Sequence, residues 1–274
     1  MGKALQVQSG FVTNPAAGFN LVTNAAGDTF AVQNYSPGAE AAFLQAWADF
    51  DQAGLIRFRS PNFHDDVNGI TMAVATTSPN PVMPTWPRQL LQSNDIITAE
   101  VNDNNGAGSC GLTIVNYYSD LPGSDARLYR WPEISGNVVN LMGCQVNVTP
   151  SGTPAAGDYD GAVVINAFAN QFKASTDYAL LGYTPSVQYQ TVGITGPDTS
   201  NRRIGGPGTT PDVMDTREWF VELSNKSGLP TIPVLNSQNM NATVVDVIDT
   251  EANGAGSITF LFAQLRRGFS PLSQ

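Results

Sequence analysis

The sequence predicts an all-β protein that consists of two similar tandem domains with short inserted helices. Its 274 residues are enough for two domains of ordinary size. Only 13% of them are charged, whereas 26 are glycine and 18 are proline, and Thr, Asn, Ser and Val recur throughout, a mixture typical of short strands joined by turns. The pentapeptide Asn-Gly-Ala-Gly-Ser occurs twice, at residues 105–109 and 253–257.

The two glycine loops are the last of four matches that occur in the same order in both parts of the chain. The matched blocks are residues 25–28 with 155–158, residues 56–62 with 192–198, residues 84–87 with 230–233, and the two loops. The offset between matched blocks only grows, from 130 to 148 positions. An ordered series of this kind indicates a duplicated domain, with a second copy about 18 residues longer than the first.

A strand is predicted after each glycine loop, because apolar residues alternate there with small or polar ones. The inward-facing residues are Cys110, Leu112 and Ile114 in the first copy and Ile258, Phe260 and Phe262 in the second. The β-branched pairs Ile96-Ile97 and Val244-Val245 predict the preceding strand in each copy. Each loop is interpreted as a hairpin connection, since Asn-Gly adopts positive φ at little cost.

Several further elements follow from local patterns. Alternation predicts strands over residues 70–75 and 219–223, each of which precedes a Pro-Thr-x-Pro segment that is interpreted as the start of another strand. Phe43, Trp47 and Phe50 lie at i, i+4 and i+7 in an Ala-rich segment and predict a helix. A weaker pattern predicts an equivalent helix over residues 167–181, and Gly-Gly-Pro-Gly at 205–208 is interpreted as a flexible turn.

Strands of about four to eight residues, with a turn signal about every ten residues, predict a sandwich or jelly roll in each copy, and therefore a double jelly roll. The predicted boundaries are an N-terminal arm 1–12, a first jelly roll 13–121, a linker 122–137, a second jelly roll 138–267 and a C-terminal tail 268–274. Both terminal segments are expected to be unpaired arms that reach neighbouring subunits.

The charge of the chain argues against nucleic acid or an anionic membrane as a direct partner. The net charge is −10, and only three of the thirteen basic residues are lysines. Clustered Lys and Arg normally supply phosphate affinity, and only Arg202-Arg203 and Arg266-Arg267 form pairs. No apolar run resembles a signal peptide or a membrane span, so we expect a chain made in the cytosol, with Cys110 and Cys144 as buried thiols.

The residues that carry chemistry are too few for an active site. The sole histidine, His64, cannot form an imidazole-rich metal site and is interpreted as a surface-loop residue. Gly-x-Ser-x-Gly, P-loop and Gly-x-Gly-x-x-Gly patterns do not occur. Asp158 and Asp160, and likewise Asp246, Asp249 and Glu251, lack EF-hand spacing and are interpreted as acidic turns. We therefore expect no catalytic, cofactor-binding or metal-binding residues, and no enzyme.

The duplicated block pattern over residues 18–265, with helical inserts and a longer second copy, resembles the double-jelly-roll major capsid proteins of tailless icosahedral viruses, including lipid-containing bacteriophages. The resemblance is architectural, and no residue motif carries it. It implies a virion protein, made in the host cytoplasm, whose homotrimers form pseudo-hexagonal capsomers. The implied partners are further copies of the chain, neighbouring capsomers, penton or minor capsid proteins and an inner membrane, without sequence-specific nucleic-acid binding.

Two alternatives remain at this stage. Jelly rolls also serve as glycan-binding or glycan-cleaving modules, for which Trp86, Tyr129 and Trp131 would supply an aromatic platform. A minor capsid or spike protein would share the same fold.

Overall fold

A computed structural model describes residues 2–24, 26–50, 54–61, 66–74, 80–81, 89–103, 109–149, 159–164, 172–248 and 255–269. Over these residues the protein is mostly β-structure with a few short helices, so the predicted all-β class is confirmed. None of the helices in the described part of the chain combines the length and the apolar character needed to cross a lipid bilayer.

The strands of the first half (residues 4–118) form two antiparallel sheets. They are β1 Ala4–Thr13, β2 Asn20–Leu21, β3 Phe30–Ala31, β4 Ala41–Phe50, β5 Gly54–Arg59, β6 Ile70–Val74, β7 Asn80–Pro81, β8 Gln89–Leu91, β9 Ile96–Asp103 and β10 Ser109–Tyr118. Sheet A has the order β1-β10-β4-β7, with β8 also on β4, and sheet B has the order β2-β9-β5-β6, with β3 also on β9. An apolar core lies between these two sheets.

The second half (residues 128–265) repeats this arrangement. Its strands are β11 Leu128–Tyr129, β12 Val138–Val148, β13 Tyr159–Val164, β14 Asp177–Pro185, β15 Tyr189–Thr195, β16 Ile204–Gly208, β17 Ile232–Asn236, β18 Val244–Ile248 and β19 Gly256–Leu265. Sheet C has the order β11-β17-β14-β19-β12, and sheet D has the order β13-β18-β15-β16. Two helices, α1 Trp131–Ile134 and α2 Trp219–Ser227, complete the regular structure, together with short 3₁₀ turns.

The chain visits the two sheets of each half in the same sequence. In the first half, β1, β4, β7, β8 and β10 lie in sheet A and the other strands in sheet B; in the second half, β12, β14, β17 and β19 lie in sheet C, together with the additional short strand β11, and the others in sheet D. Strands β1 and β10 are hydrogen-bonded neighbours, and so are their counterparts β12 and β19. Strand register reproduces the sequence offsets, because Ile56 pairs with Val101 and Val192 pairs with Val247.

Several predicted strands are confirmed. The alternating segments after the glycine loops are β10 and β19, and their predicted inward residues are all fully buried. The β-branched pairs lie at the starts of β9 and β18, and the segment that begins at Ile70 is β6. Pro230 and Thr231 precede β17 directly, as expected for a strand start. The first Pro-Thr-x-Pro segment, residues 84–87, lies outside the described residues.

The helix predicted from Phe43, Trp47 and Phe50 is wrong, because these residues lie in strand β4. The strand is buried on both faces and contains a bulge, since Gln45 pairs with Val115 while Phe43 pairs with Asn116. The bulge changes which face each later residue occupies. It therefore gives a two-sided strand an apolar spacing that resembles a helical one.

The strand predicted over residues 219–223 is also wrong, since this segment begins helix α2. Phe220 is buried as well as the alternate residues, and the helix packs on β14 and β17. It ends at Gly228, whose φ of 71° is the left-handed conformation common after a helix. The helix predicted over 167–181 is wrong from Asp177 onward, where β14 begins; residues 167–171 lie outside the described residues.

Gly-Gly-Pro-Gly at 205–208 is not a flexible turn but part of β16, a strand in which every residue is buried. A methyl group on Gly205 would collide with the backbone oxygen of Val192. A methyl group on Gly206 would collide with the indole nitrogen of Trp219 and the hydroxyl of Tyr183. The glycines are therefore required by close packing rather than by flexibility.

We predict that Gly206→Ala lowers the free energy of unfolding by about 2–3 kcal/mol, because the added methyl group overpacks a filled site. Urea unfolding followed by tryptophan fluorescence measures the change. Gly136→Ala is the matched control, since no other group lies within 4 Å of that position, and it should leave the midpoint nearly unchanged. Equal effects of the two substitutions would contradict the packing described for β16.

Two predictions about connections and termini are wrong. The glycine loops do not join hairpin partners: β9 and β10 lie in different sheets, as do β18 and β19. Each loop therefore connects the two sheets of one half, although residues 105–108 of the first loop and 253–254 of the second lie outside the described part of the chain. The N-terminal segment 1–12 is not an unpaired arm, because β1 pairs with β10 from Ala4 to Thr13.

The predicted linker 122–137 follows β10 and leads into β12. Its residues include β11, which pairs with β17, and helix α1. Through β11 the linker becomes part of sheet C of the second half. The domain boundaries themselves stay a prediction.

Candidate functional site

The most extensively built feature of the described residues is the junction between the two halves. Sheet A is apolar on both faces: one covers the core of the first half, and the other joins the core of the second half. Side chains on the second face come from β1, β4 and β10. They are Leu5, Val7, Ala42, Leu44, Trp47, Val115 and Tyr117. This continuous burial makes the two halves one packed body.

Trp47 is the largest side chain at the junction. Its indole Nε1 donates a 2.8 Å hydrogen bond to the backbone oxygen of Gln190 on β15. Its ring meets that of Trp219 on α2 edge to face, with centroids 5.7 Å apart. The second half therefore supplies both a packing partner for the ring and an acceptor for the N–H, as a fully buried tryptophan requires.

Gln190 holds the opposite side of the junction. Its buried side-chain Nε2 lies 3.3 Å from the backbone oxygen of Gly10 and 3.2 Å from that of Leu112, and it donates to sheet A. Gly111 is glycine because a Cβ there would lie 2.6 Å from Oε1 of Gln190. The amide therefore fits into the surface of sheet A through a position that has no side chain.

The linker is fastened to both halves. On the first-half side, Lys3 Nζ donates to the backbone oxygen of Leu128 at 3.1 Å, and Ser124 Oγ donates to the backbone oxygen of Lys3 at 2.6 Å. On the second-half side, Arg127 Nη1 donates to Asp177 Oδ1 at 2.8 Å and lies 3.6 Å from Asp198 Oδ1. Together these contacts fix the linker between the halves.

The carboxylates around Arg127 are themselves well supported. Asp198 Oδ2 accepts the backbone N–H of Asn236 at 2.8 Å and the side-chain amide of Asn239 at 2.9 Å. Burial raises the pKa of Asp177, but hydrogen bonds from Arg127 and Asn236 outweigh that effect and hold its pKa below the ordinary value of 3.8. The pKa of Arg127 is raised, chiefly by its bond to Asp177. The network therefore depends on ionised carboxylates.

The outer faces of sheets B and D carry matching ion pairs. In the first half, Glu100 on β9 accepts hydrogen bonds from Arg57 Nε at 2.7 Å and from Arg59 Nε at 2.8 Å. Burial raises the pKa of Glu100, and these arginines together lower it below its usual range. Asp246 on β18 occupies the equivalent position and accepts a 2.6 Å bond from Arg203 Nε.

The arginines of the two ion pairs come from different strands. Arg57 is paired in register with Glu100, whereas Gly193 stands in that register position beside Asp246. A Cβ on Gly193 would lie 2.5 Å from the guanidinium carbon of Arg203. The glycine thus leaves room for an arginine that reaches across from the start of β16. The equivalent site in the second half therefore also holds an ion pair, but its arginine comes from a different position in the fold.

Among the residues that the sequence singled out, few lie together. His64, Asp158, Asp249 and Glu251 are outside the described residues, and Asp160 lies in strand β13. Asp246 belongs to the ion pair with Arg203 rather than to an acidic turn. The described part of the chain contains no group of three or more His, Cys, Asp or Glu side chains arranged to hold a metal.

The aromatic platform of the glycan-binding alternative is not assembled by the described residues. Trp86 lies outside them. Tyr129 is partly buried between the ammonium of Lys3, 5.6 Å from its ring centre, and the ring of Phe269, 5.3 Å away. Trp131 is partly buried in α1 and packs against the second-half core. No observation therefore favours the glycan-binding alternative.

Both cysteines are buried, as predicted. Burial raises the pKa of the Cys144 thiol to about 11, so at pH 8 only about one molecule in a thousand carries the reactive thiolate. We predict that a thiol reagent such as DTNB labels neither cysteine of the folded protein at pH 8 and labels both in 8 M urea. Rapid labelling without denaturant would contradict the burial of these strands.

Sequence signals for the junction were weak. Trp47 and Gln190 lie 143 positions apart, and no motif connects them. The one available signal was that β4 carries apolar residues on both faces, which an isolated sandwich with one solvated face does not require.

Comparisons with known proteins place the chain in no family. No family model matches the sequence, and no curated protein matches it. The solved structures that it resembles include the PBSX exported protein XepA, with 11% identity over 91% of this chain and 88% of that chain and a TM-score of 0.22. Another is the major capsid protein P2 from bacteriophage PM2, with 8% identity over 98% and 100% and a TM-score of 0.21. TM-scores of 0.22 and 0.21 are too low to show a shared fold.

Proposed function

We propose that this chain is a structural virion protein with a double-jelly-roll fold, the major capsid protein of an icosahedral shell. Its homotrimers would form pseudo-hexagonal capsomers, with each chain contributing two similar domains. The chain would act through its surfaces rather than as an enzyme, and its partners would be copies of itself and neighbouring capsomers.

The observation that carries the proposal is the repeated strand order together with the packed junction. In each half the strands alternate between two sheets, and β1 and β10, like their counterparts β12 and β19, are neighbours, as in a jelly roll. Trp47, Gln190 and the Arg127 network fasten the halves into one block. Three such blocks related by threefold symmetry present six similar domains, a shape that tiles a shell.

The oligomeric state tests this function. Native mass spectrometry of the purified protein should give a species of three 29.1 kDa chains that persists on dilution to micromolar concentration. A glycan array provides the opposing measurement. A chain that stays monomeric and binds oligosaccharides would contradict the proposal and support the glycan-binding function instead.

A further inference from the structure

The outer face of sheet C exposes two large apolar side chains at its edge strand, β12. Val139 is 57% exposed and Leu141 is 55% exposed, while Cys144, Val146 and Val148 of the same strand point into the core. Gly143 on the same strand has no side chain, and a Cβ at that position would lie 3.6 Å from Cγ2 of Thr259. Residues 134–157 contain no Asp, Glu, Lys or Arg, although the whole chain carries a net charge of −10. The patch around Val139 and Leu141, named here the Leu141 face, is apolar and lies on a strand without charged residues, although the protein is acidic.

The Leu141 face repeats a surface that is buried elsewhere in the chain. Leu141 pairs with Ala263 on β19, as Val7 pairs with Val115 on β10. Ala263 follows Val115 by 148 positions, the same offset that separates the glycine loops. Val7 is only 7% exposed, because its face of sheet A packs on the second half. The same position of the fold is therefore buried at Val7 in the first half and exposed at Leu141 in the second half.

The surface that covers sheet A is also duplicated. Sheet A rests on the strands β15 and β16 of sheet D, where Thr191 pairs with Pro207 and both are buried. The register-equivalent pair on sheet B is Leu55 with Ala73. Both of these residues are exposed, Leu55 at 37%. The start of β5 and the end of β6, named here the Leu55 face, therefore form an open copy of the covering surface.

We infer that the Leu141 face of one copy of this chain packs on the Leu55 face of a second copy, and that the contact within the chain is repeated between chains. The Leu141 face corresponds to the face of sheet A that packs at the junction, and the Leu55 face corresponds to the part of sheet D that covers it. The contact joins different faces of the two copies, so it is heterologous and leads to a closed ring or a longer chain of copies. The inference rests on the proposed function, because that function supplies a second copy of this chain as the partner.

Charge substitutions on either face test the contact. Leu141→Lys and Leu55→Lys should each raise the concentration at which the oligomer dissociates by at least about tenfold, because each would bury an unpaired ammonium. Sedimentation velocity measures the change, and circular dichroism verifies that the variants are folded. Leu90→Lys is the control: Leu90 is 54% exposed but lies on neither face, so this variant should assemble like the wild type.

A cysteine pair tests the direction of the contact. Oxidation of Leu141→Cys/Leu55→Cys should produce covalent trimers or longer ladders, whereas either single variant should stay uncrosslinked. Dimers of Leu141→Cys alone would overturn the inference, since they require a face that pairs with itself. A wild-type oligomer that survives both lysine substitutions would overturn the inference and leave the proposed function standing. A monomeric wild type would overturn both.

Discussion

Replacing Trp47 with alanine should lower the free energy of unfolding by about 3–5 kcal/mol, the usual cost of removing a buried tryptophan. The substitution empties the centre of the junction and removes the ring contact with Trp219. It also leaves the backbone oxygen of Gln190 without the indole N–H that it accepts. Urea unfolding at equilibrium, followed by circular dichroism, measures the loss.

The control for this prediction is Trp131→Ala. Trp131 is only partly buried at the rim of the second-half core, so its removal should cost clearly less than the removal of Trp47. A loss below about 1 kcal/mol for Trp47→Ala would show that the two halves are not stabilised by their junction.

Arg127→Met should cost about 2–3 kcal/mol at pH 7, because it leaves the buried carboxylate of Asp198 and the largely buried carboxylate of Asp177 without their shared cation. The cost is below that of a fully buried pair, since the arginine side chain keeps 28% of its exposure. Methionine preserves the length and the apolar contacts of the side chain. The variant therefore isolates the effect of the charge.

The effect of Arg127→Met should depend on pH in a defined direction. The folded pKa of Asp177 lies below its unfolded value, so its stabilising contribution is complete above about pH 4 and is lost as the pH falls through the folded pKa. The wild type and the variant should therefore converge in stability as the pH falls through the folded pKa of Asp177. Arg217→Met removes an exposed ion pair with Asp215 and should change little at either pH. A difference between wild type and Arg127→Met that grows on acidification would contradict this account.

The sequence predicted the strands in which apolar residues alternate regularly with small or polar ones. Residues after the glycine loops alternate cleanly because β10 and β19 each cover a core, and the β-branched pairs of β9 and β18 have the same origin. The ordered matches between the copies also proved informative, since strand register reproduces their offsets at Ile56 and Val192. Period and spacing are local properties that one chain reveals directly.

The predictions failed where a bulge interrupts the alternation of a strand or where a distant partner packs on the segment. β4 has apolar residues on both faces and a bulge, and its spacing therefore mimics a helix. Gly206 in β16 is required because the side chains of Trp219 and Tyr183 pack against it. The sequence of the Gly-Gly-Pro-Gly segment alone does not show these contacts. The segment before Thr13 pairs with β10, about a hundred positions later. Tertiary contacts decide these cases, and local propensity does not.

The junction and the two open faces could be recognised only from the three-dimensional arrangement. Gln190 reaches Gly10 and Leu112 through a gap that Gly111 leaves, and no spacing in the sequence indicates this. Exposure of Leu141 becomes informative only when the register shows that Val7, its counterpart, is covered.

Electron microscopy of the purified oligomer tests the central claim most directly. If the chain is a capsid subunit whose two halves are equivalent building blocks, class averages along the symmetry axis will show a flat particle with six similar lobes and threefold symmetry. Particles with the size of one chain, or oligomers without six lobes, would contradict the claim.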